Sequence, residues 1–146
     1  MTVGPVQEIQ IGALTVTILQ LGEISDDLSD WFEADTVAVP EGLSRLPINC
    51  LHISGPGISI LIDACDPGLY PDVRQTGRGI GQSLETAGIA PEGITHVILT
   101  HGHHDHFCGV ASPSNEPVFR YARHILAPQD WGKGTLTPEA QMADGN

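Results

Sequence analysis

Residues 95–109 read THVILTHGHHDHFCG, and this stretch places a short apolar run directly before a cluster of polar side chains. The run THVILT is β-branched and apolar in the way that is typical of a strand buried on both faces of a sheet. Four of the seven histidines and one aspartate then follow within residues 101–106. We therefore expect the cluster to lie at the carboxyl end of a buried strand.

The spacing within the cluster favours metal binding. Alternate side chains of an extended chain point to the same side, so His101 and His103 can direct their rings to a common point. Two neutral imidazoles suit a borderline-soft cation, most often zinc. Asp105 adds a carboxylate oxygen, and His106 adds another nitrogen after the chain has turned. Such a set can hold two metals, between which a bridging water loses its proton near neutral pH and attacks carbon or phosphorus.

A histidine-rich surface tract can also bind metal adventitiously. This cluster differs from such a tract because an aspartate has a fixed place in it, a buried strand precedes it, and it is not a terminal tag. His104 falls outside the alternation and is predicted to face away. Gly109 is predicted to let the chain leave without crowding the metals. We therefore interpret the cluster as a site.

The composition bounds the function classes. Six Lys and Arg stand against eighteen Asp and Glu, so the formal net charge of the 146-residue chain is -12. This surplus repels phosphate backbones and anionic lipid headgroups, and the sequence has no basic cluster to offset it. We expect a single domain that takes a small-molecule substrate and has no nucleic-acid or membrane partner.

The N-terminal residues MTVGPVQEIQ carry neither a basic segment nor a long apolar run. No run in the chain approaches the ~20 apolar residues that span a bilayer. Cys50, Cys65 and Cys108 are odd in number and widely spaced, which fits neither a disulfide framework nor a CxxC pair. We therefore expect reduced cysteines and a cytoplasmic location.

The rest of the chain predicts strands with few helices. Four β-rich runs form two hairpins, one turning at Gly12–Ala13 and the other at residues 55–57. Residues 25–47 lack a sustained period and are predicted to form a long loop or lid. A helix is predicted over residues 72–87, and a further strand over residues 117–126.

The string HGHHDH (101–106) resembles the H-x-H-x-D-H signature of the metallo-β-lactamase-fold hydrolase superfamily. ILIDACDPG (60–68) resembles that family's strand ending in an aspartate. GIAPEGITHVILTHGHHDH (88–106) resembles its helix, turn and strand before the metal loop. The resemblance covers about residues 6–131. It implies an α+β fold, the αβ/βα sandwich of the family, of which this chain carries the N-terminal αβ half.

The resemblance also implies roles for particular residues. His101 and His103 would hold a first metal, and Asp105 and His106 would hold a second. Asp105 would also orient the nucleophile, while Asp63 would orient the metal loop from behind the ligands. The implied activity is hydrolysis of an ester, lactone, thioester or amide by a zinc-activated hydroxide, with two zinc ions and with iron or manganese as alternatives.

The chain also departs from the family. The family's sites are completed by two more histidines and a bridging carboxylate from a C-terminal half, whereas His124 is the only histidine after His106. Residues 1–146 are therefore interpreted as one C-terminally truncated domain. Two alternatives stay open. The chain is either a catalytically incomplete fragment, which self-associates or needs its missing half, or an iron-dependent redox member of the fold. His103 argues against the latter, because di-iron members tend to have a carboxylate there.

Several other side chains have both a structural and a functional interpretation. Trp31 and Phe32 either anchor the long loop or cover the metals. Cys108 is either a small buried hydrophobe or a neighbour of the second metal. Five more residues have a simpler expectation. Arg74 and Arg78 are expected to be solvated charges, and His52, His96 and His124 are expected to be ordinary strand residues.

Overall fold

The structure is a computed structural model, and it describes residues 6–27, 43–67 and 75–128. Within these ranges seven strands form one mixed sheet, accompanied by two short α-helices. The strands are β1 (Gln7–Ile11), β2 (Leu14–Asp27), β3 (Leu43–Gly55), β4 (Ile58–Ile62), β5 (Gln75–Gly77), β6 (His96–Ile98) and β7 (Arg123–Ile125). The helices are α1 (Ile80–Thr86) and α2 (His104–Phe107). A mixed sheet with few helices confirms the predicted α+β class.

The strand order is β1-β2-β3-β4-β6-β7, and β5 pairs with the far part of the long strand β2. Strands β1 to β4 are antiparallel, whereas β4, β6 and β7 run parallel. Both predicted hairpins are confirmed. The first turns at Gly12 with φ 60° and the second at Gly57 with φ 75°, a left-handed conformation that glycine adopts without steric cost.

One face of the sheet forms the core. Four adjacent strands contribute side chains that are at most 2% exposed, namely Leu19, Cys50, Leu61 and Val97. Ile80 and Leu84 of α1 belong to the same buried cluster. A helix of seven residues is not stable alone in water, so the burial of these two side chains, about 1.5–3 kcal/mol each, holds α1 in place.

The opposite face of the sheet is also apolar. Strand register aligns one row of side chains from β2 to β7, which consists of Ile18, Leu51, Ile62, Ile98 and Ile125. A second row starts with Ile9 and Val16 and continues through Ile53 and Ile60. Ile9, Ile11 and Ile125 are 50%, 60% and 40% exposed, so part of this face is open to solvent.

The predicted loop over residues 25–47 needs new boundaries. Residues 25–27 belong to β2 and residues 43–47 to β3, and the two segments pair in antiparallel register, with Ser25 opposite Arg45. Residues 25–27 are Ser-Asp-Asp, so polar side chains interrupt the apolar alternation that marks a strand. Residues 28–42, which include Trp31 and Phe32, lie outside the described residues.

Two other predicted elements are shorter than expected. The helix predicted over residues 72–87 begins only at Ile80, because residues 75–77 pair with β2 as β5. A Cβ on Gly77 would overlap the Leu21 carbonyl oxygen, so this contact requires glycine. The strand predicted over 117–126 is confined to β7. Here Phe119 turns into the core at 1% exposure instead of alternating along an extended chain.

No helix within residues 6–27, 43–67 and 75–128 has the length and apolar character needed to cross a membrane.

Candidate metal centre

The histidine cluster lies at the carboxyl edge of the parallel strands. Strand β6 lies between β4 and β7, and the chain enters the cluster shortly after β6 ends. Asp63 follows β4 directly and so reaches the same edge. Side chains from two neighbouring strands meet there because parallel strands end on the same side of a sheet.

Backbone hydrogen bonds fasten the cluster to the segment after β4. The Asp63 N–H donates to the Ile98 carbonyl at 2.9 Å, and the Ala64 N–H donates to the His106 carbonyl at 2.7 Å. The Gly109 N–H donates to the Ala64 carbonyl, also at 2.7 Å. The chain is therefore held before the cluster, at its last residue and after it, so that the side chains of the cluster have a fixed origin.

Asp63 lies behind the histidines, where it is 8% exposed. Its φ of 61° falls in the left-handed region, which aspartate tolerates better than most residues do. Oδ1 accepts the Thr100 N–H at 2.8 Å, and Oδ2 lies 2.9 Å from His106 Nδ1. Burial alone would raise the pKa of Asp63, but the hydrogen bonds from His106 and Thr100 outweigh burial and lower this pKa below its usual value.

Three imidazole rings converge in front of Asp63. His101 Nε2 lies 3.0 Å from His103 Nδ1, and their ring centroids are 4.6 Å apart. The His101 and His106 centroids are 3.9 Å apart. Burial lowers the pKa of His101, and the neighbouring His106 and His103 lower it further. A neutral imidazole keeps one nitrogen lone pair, which is what a metal requires.

His106 lies between two carboxylates. Its Nδ1 contacts Asp63, and its Nε2 lies 3.5 Å from Asp105 Oδ2. Hydrogen bonds with Asp105 and Asp63 raise the pKa of His106 to about 10, and the bond with His106 lowers the pKa of Asp105. Metal ligation needs the neutral ring, so a divalent cation bound here would replace the Nε2 proton beside Asp105.

The predicted ligands form two adjacent pairs. Among the described residues, no three His, Cys, Asp or Glu side chains already stand together as one metal site. Instead His101 contacts His103, and Asp105 lies beside His106. Two nitrogens on one tetrahedral zinc at about 2.0–2.1 Å lie about 3.3 Å apart, which is close to the 3.0 Å between the paired histidine nitrogens. The donor set therefore fits divalent cations, with two chain ligands for each.

The sequence reasoning misses Thr100, whose hydroxyl lies 3.0 Å from both Asp63 oxygens and 3.1 Å from His101 Nδ1. A prediction based on imidazoles and carboxylates does not select a threonine hydroxyl. The available signal is its position directly before the first predicted ligand, just after the end of β6.

Two neighbours of the ligands point elsewhere. Cys108 Sγ lies 3.8 Å from Cys65 Sγ and accepts the Asp66 N–H at 3.0 Å, so it contacts the segment after β4 and not the imidazoles. His104 packs edge-on against Phe107, with centroids 6.0 Å apart. These contacts of Cys108 and His104 are with residues other than the four predicted ligands.

The remaining candidates lie outside the cluster. His52 is buried, with Nε2 2.8 Å from Ser59 Oγ, and burial lowers its pKa. His96 and His124 are residues of β6 and β7. Arg78 donates to Thr86 Oγ1 at 3.3 Å, whereas Arg74 lies outside the described residues.

Gly109 is needed for a different reason from the one expected. A Cβ at this position would lie 2.8 Å from the Ala64 carbonyl oxygen and 2.9 Å from Ile80 Cγ2. The close approach of two backbone segments therefore excludes a side chain here.

We predict that Gly109→Ala lowers the free energy of unfolding by about 1–3 kcal/mol through overpacking. Gly81→Ala is the matched control, because no atom lies within 4 Å of the place that its methyl group would occupy in α1. This control should raise stability by up to about 1 kcal/mol, since alanine is the better helix former. Urea denaturation measures both, and a Gly109→Ala chain as stable as wild type would contradict the close approach.

Sequence comparisons identify similar proteins. A family model described as "Metallo-beta-lactamase superfamily" matches residues 43–142. Metallo-beta-lactamase domain-containing protein 1 of Xenopus laevis is 33% identical over 82 residues, which make up 56% of this chain and 29% of that protein.

Solved structures share the fold. AidC, a dizinc quorum-quenching lactonase in complex with a product, matches with a TM-score of 0.68 and 27% identity, over 86% of this chain and 45% of that chain. A probable metal-dependent hydrolase from Staphylococcus aureus matches with a TM-score of 0.68 and 20% identity, over 84% of this chain and 50% of that chain. The chain thus spans about half the length of these structures and less than a third of the Xenopus protein.

Proposed function

The chain belongs to the metallo-beta-lactamase superfamily, as its sequence motif predicted, and from that premise we propose that it is a metal-dependent hydrolase. The observation that supports this most is the arrangement of His101, His103 and His106, whose rings gather in front of one buried carboxylate. Asp63 gives His106 the hydrogen-bond acceptor that the second ring nitrogen of a metal-ligating histidine usually has.

In this proposal His101 and His103 hold a first zinc ion, and Asp105 and His106 hold a second. Bound zinc supplies a water acidic enough to attack an electrophilic carbon near neutral pH. Asp63 holds the proton on His106 Nδ1, so Nε2 beside Asp105 is the nitrogen that would exchange its proton for a metal. The Asp105 side chain is 48% exposed, so its carboxylate can also accept a hydrogen bond from an incoming water and orient it.

We propose an ester, lactone, thioester or amide as the substrate class. The likeness to AidC, a dizinc quorum-quenching lactonase, favours testing lactones first. The net charge of -12 favours a neutral or cationic small molecule over an anionic one.

A second proposal is that these 146 residues form a catalytically incomplete part of a C-terminally truncated domain. It is supported by the span of about half the solved structures and by the open apolar face, on which Ile9 and Ile11 are at least half exposed. Exposed apolar patches of this kind promote association. The remainder of a longer chain, or a second copy of this one, would cover the face.

Elemental analysis, a chelator and a substrate panel test both proposals together. We expect bound zinc, and hydrolysis of a lactone or ester that stops with the chelator and returns with zinc. Metal binding without turnover would favour the incomplete fragment, whereas iron in place of zinc would favour the redox alternative. A chain that binds no divalent cation, or whose hydrolysis ignores the chelator, would contradict the metallohydrolase.

A further inference from the structure

The side chain of Thr100 connects Asp63 to two of the three clustered rings. Its hydroxyl lies 3.0 Å from each Asp63 oxygen, 3.1 Å from His101 Nδ1 and 3.3 Å from His106 Nδ1. Its N–H also donates to Asp63 Oδ1 at 2.8 Å. Thr100 therefore forms hydrogen bonds with the carboxylate through both its backbone and its side chain.

Counting protons assigns a direction to each contact. A hydroxyl has one proton to donate and two lone pairs to accept with, whereas an ionised carboxylate can only accept. The Thr100 proton must therefore point to Asp63. The lone pairs of the hydroxyl are then left for His101, whose Nδ1 has to carry the proton of that hydrogen bond.

The same counting gives His106 a direct partner. Its Nδ1 lies 2.9 Å from Asp63 Oδ2 and 3.3 Å from the Thr100 hydroxyl, so its proton goes to the carboxylate. One buried carboxylate thus determines which nitrogen is protonated in both rings, in His106 directly and in His101 through a hydroxyl. In both rings Nδ1 carries a proton. Nε2 of His101 keeps its lone pair, whereas Nε2 of His106 would give up a proton when a metal binds.

The free nitrogen of His101 faces the next predicted ligand. His101 Nε2 lies 3.0 Å from His103 Nδ1, at the point where the first metal is proposed. With the opposite tautomer, a proton would occupy that point and the lone pair would face the hydroxyl. The tautomer of His101 therefore decides whether this nitrogen is available.

We propose that Thr100 is a positioning residue that relays Asp63 to His101 and holds that ring in its Nδ1–H tautomer, with Nε2 presented as a ligand. The consequence for metal binding rests on the proposed function. The tautomer itself is a property of the chain and needs no metal.

Thr100→Val removes the hydroxyl but keeps the branched shape, and Thr100→Ser is the matched control because it restores the hydroxyl. We expect long-range proton–nitrogen NMR spectra of the metal-free chain, recorded at about pH 8 where free histidine is neutral, to show Nδ1–H on His101. Thr100→Ser should keep this pattern. Thr100→Val should give a mixed or Nε2–H tautomer for His101 while His106 stays unchanged, because Asp63 is its direct partner.

Zinc titration gives the second readout. Loss of such a partner typically costs about 10–100-fold in metal affinity, so we expect about a 10-fold loss in Thr100→Val and near-wild-type affinity in Thr100→Ser. An Nε2–H tautomer in the wild-type chain overturns the proposal, even if Thr100→Val fails to fold. Unchanged zinc affinity in a folded Thr100→Val chain overturns it too. A chain that binds no zinc contradicts the proposed function, while the NMR result still decides the role of Thr100.

Discussion

Replacing His101 by alanine is expected to weaken the binding of the first zinc ion by about 100-fold or more. Structural sites with four protein ligands bind zinc with a free energy of about 10–16 kcal/mol, so each ligand contributes about 3 kcal/mol on average. The loss of His101 should cost at least this much binding free energy, because its ring contacts both His103 and His106. Competition with a chelating dye measures the affinity.

His104→Ala is the matched control, because it removes the same ring from the same segment. His104 packs on Phe107 and is not one of the predicted ligands, so its loss should leave zinc affinity within a few-fold of wild type. Equal losses in the two variants would mean that the histidines bind zinc as an unstructured tract. Unchanged zinc affinity in His101→Ala would mean that this ring is not part of the proposed site.

The sequence predicts the position of the cluster better than its internal contacts. The apolar run before residue 101 forms β6, so His101 and His103 follow a strand inside the sheet as predicted. The strand is shorter than predicted, and Val97 is its one fully buried residue, so it is not buried on both faces. The contacts of Thr100 and Asp63 come from residues 37 positions apart in the chain. Spacing along one segment cannot predict such contacts, since they depend on which strands become neighbours.

The errors in the fold have a related cause. Residues 25–27 pair with β3, but their sequence Ser-Asp-Asp interrupts the apolar alternation that marks a strand. Residues 75–77 form β5 because glycine allows close approach to the Leu21–Gly22 backbone. Both elements exist because of a partner strand and not because of local propensity.

Leu61→Ala is expected to lower the free energy of unfolding by about 3–5 kcal/mol. Leu61 is fully buried in β4 and pairs with His52 on one side and Val97 on the other, so its truncation leaves a cavity in the centre of the core. This loss is a large share of the about 5–15 kcal/mol that stabilises a typical domain. Urea denaturation followed by circular dichroism measures it.

Ile60→Ala is the matched control one residue away, on the opposite face of the same strand. Ile60 is only partly buried, so its truncation should cost about 1 kcal/mol in the present chain when sedimentation shows a monomer. If a second copy or the remainder of a longer chain covers this face, the cost should rise towards about 2–5 kcal/mol in that assembly. Equal costs for Ile60→Ala in the monomer and in the longer protein would contradict the proposal that this sheet face is covered.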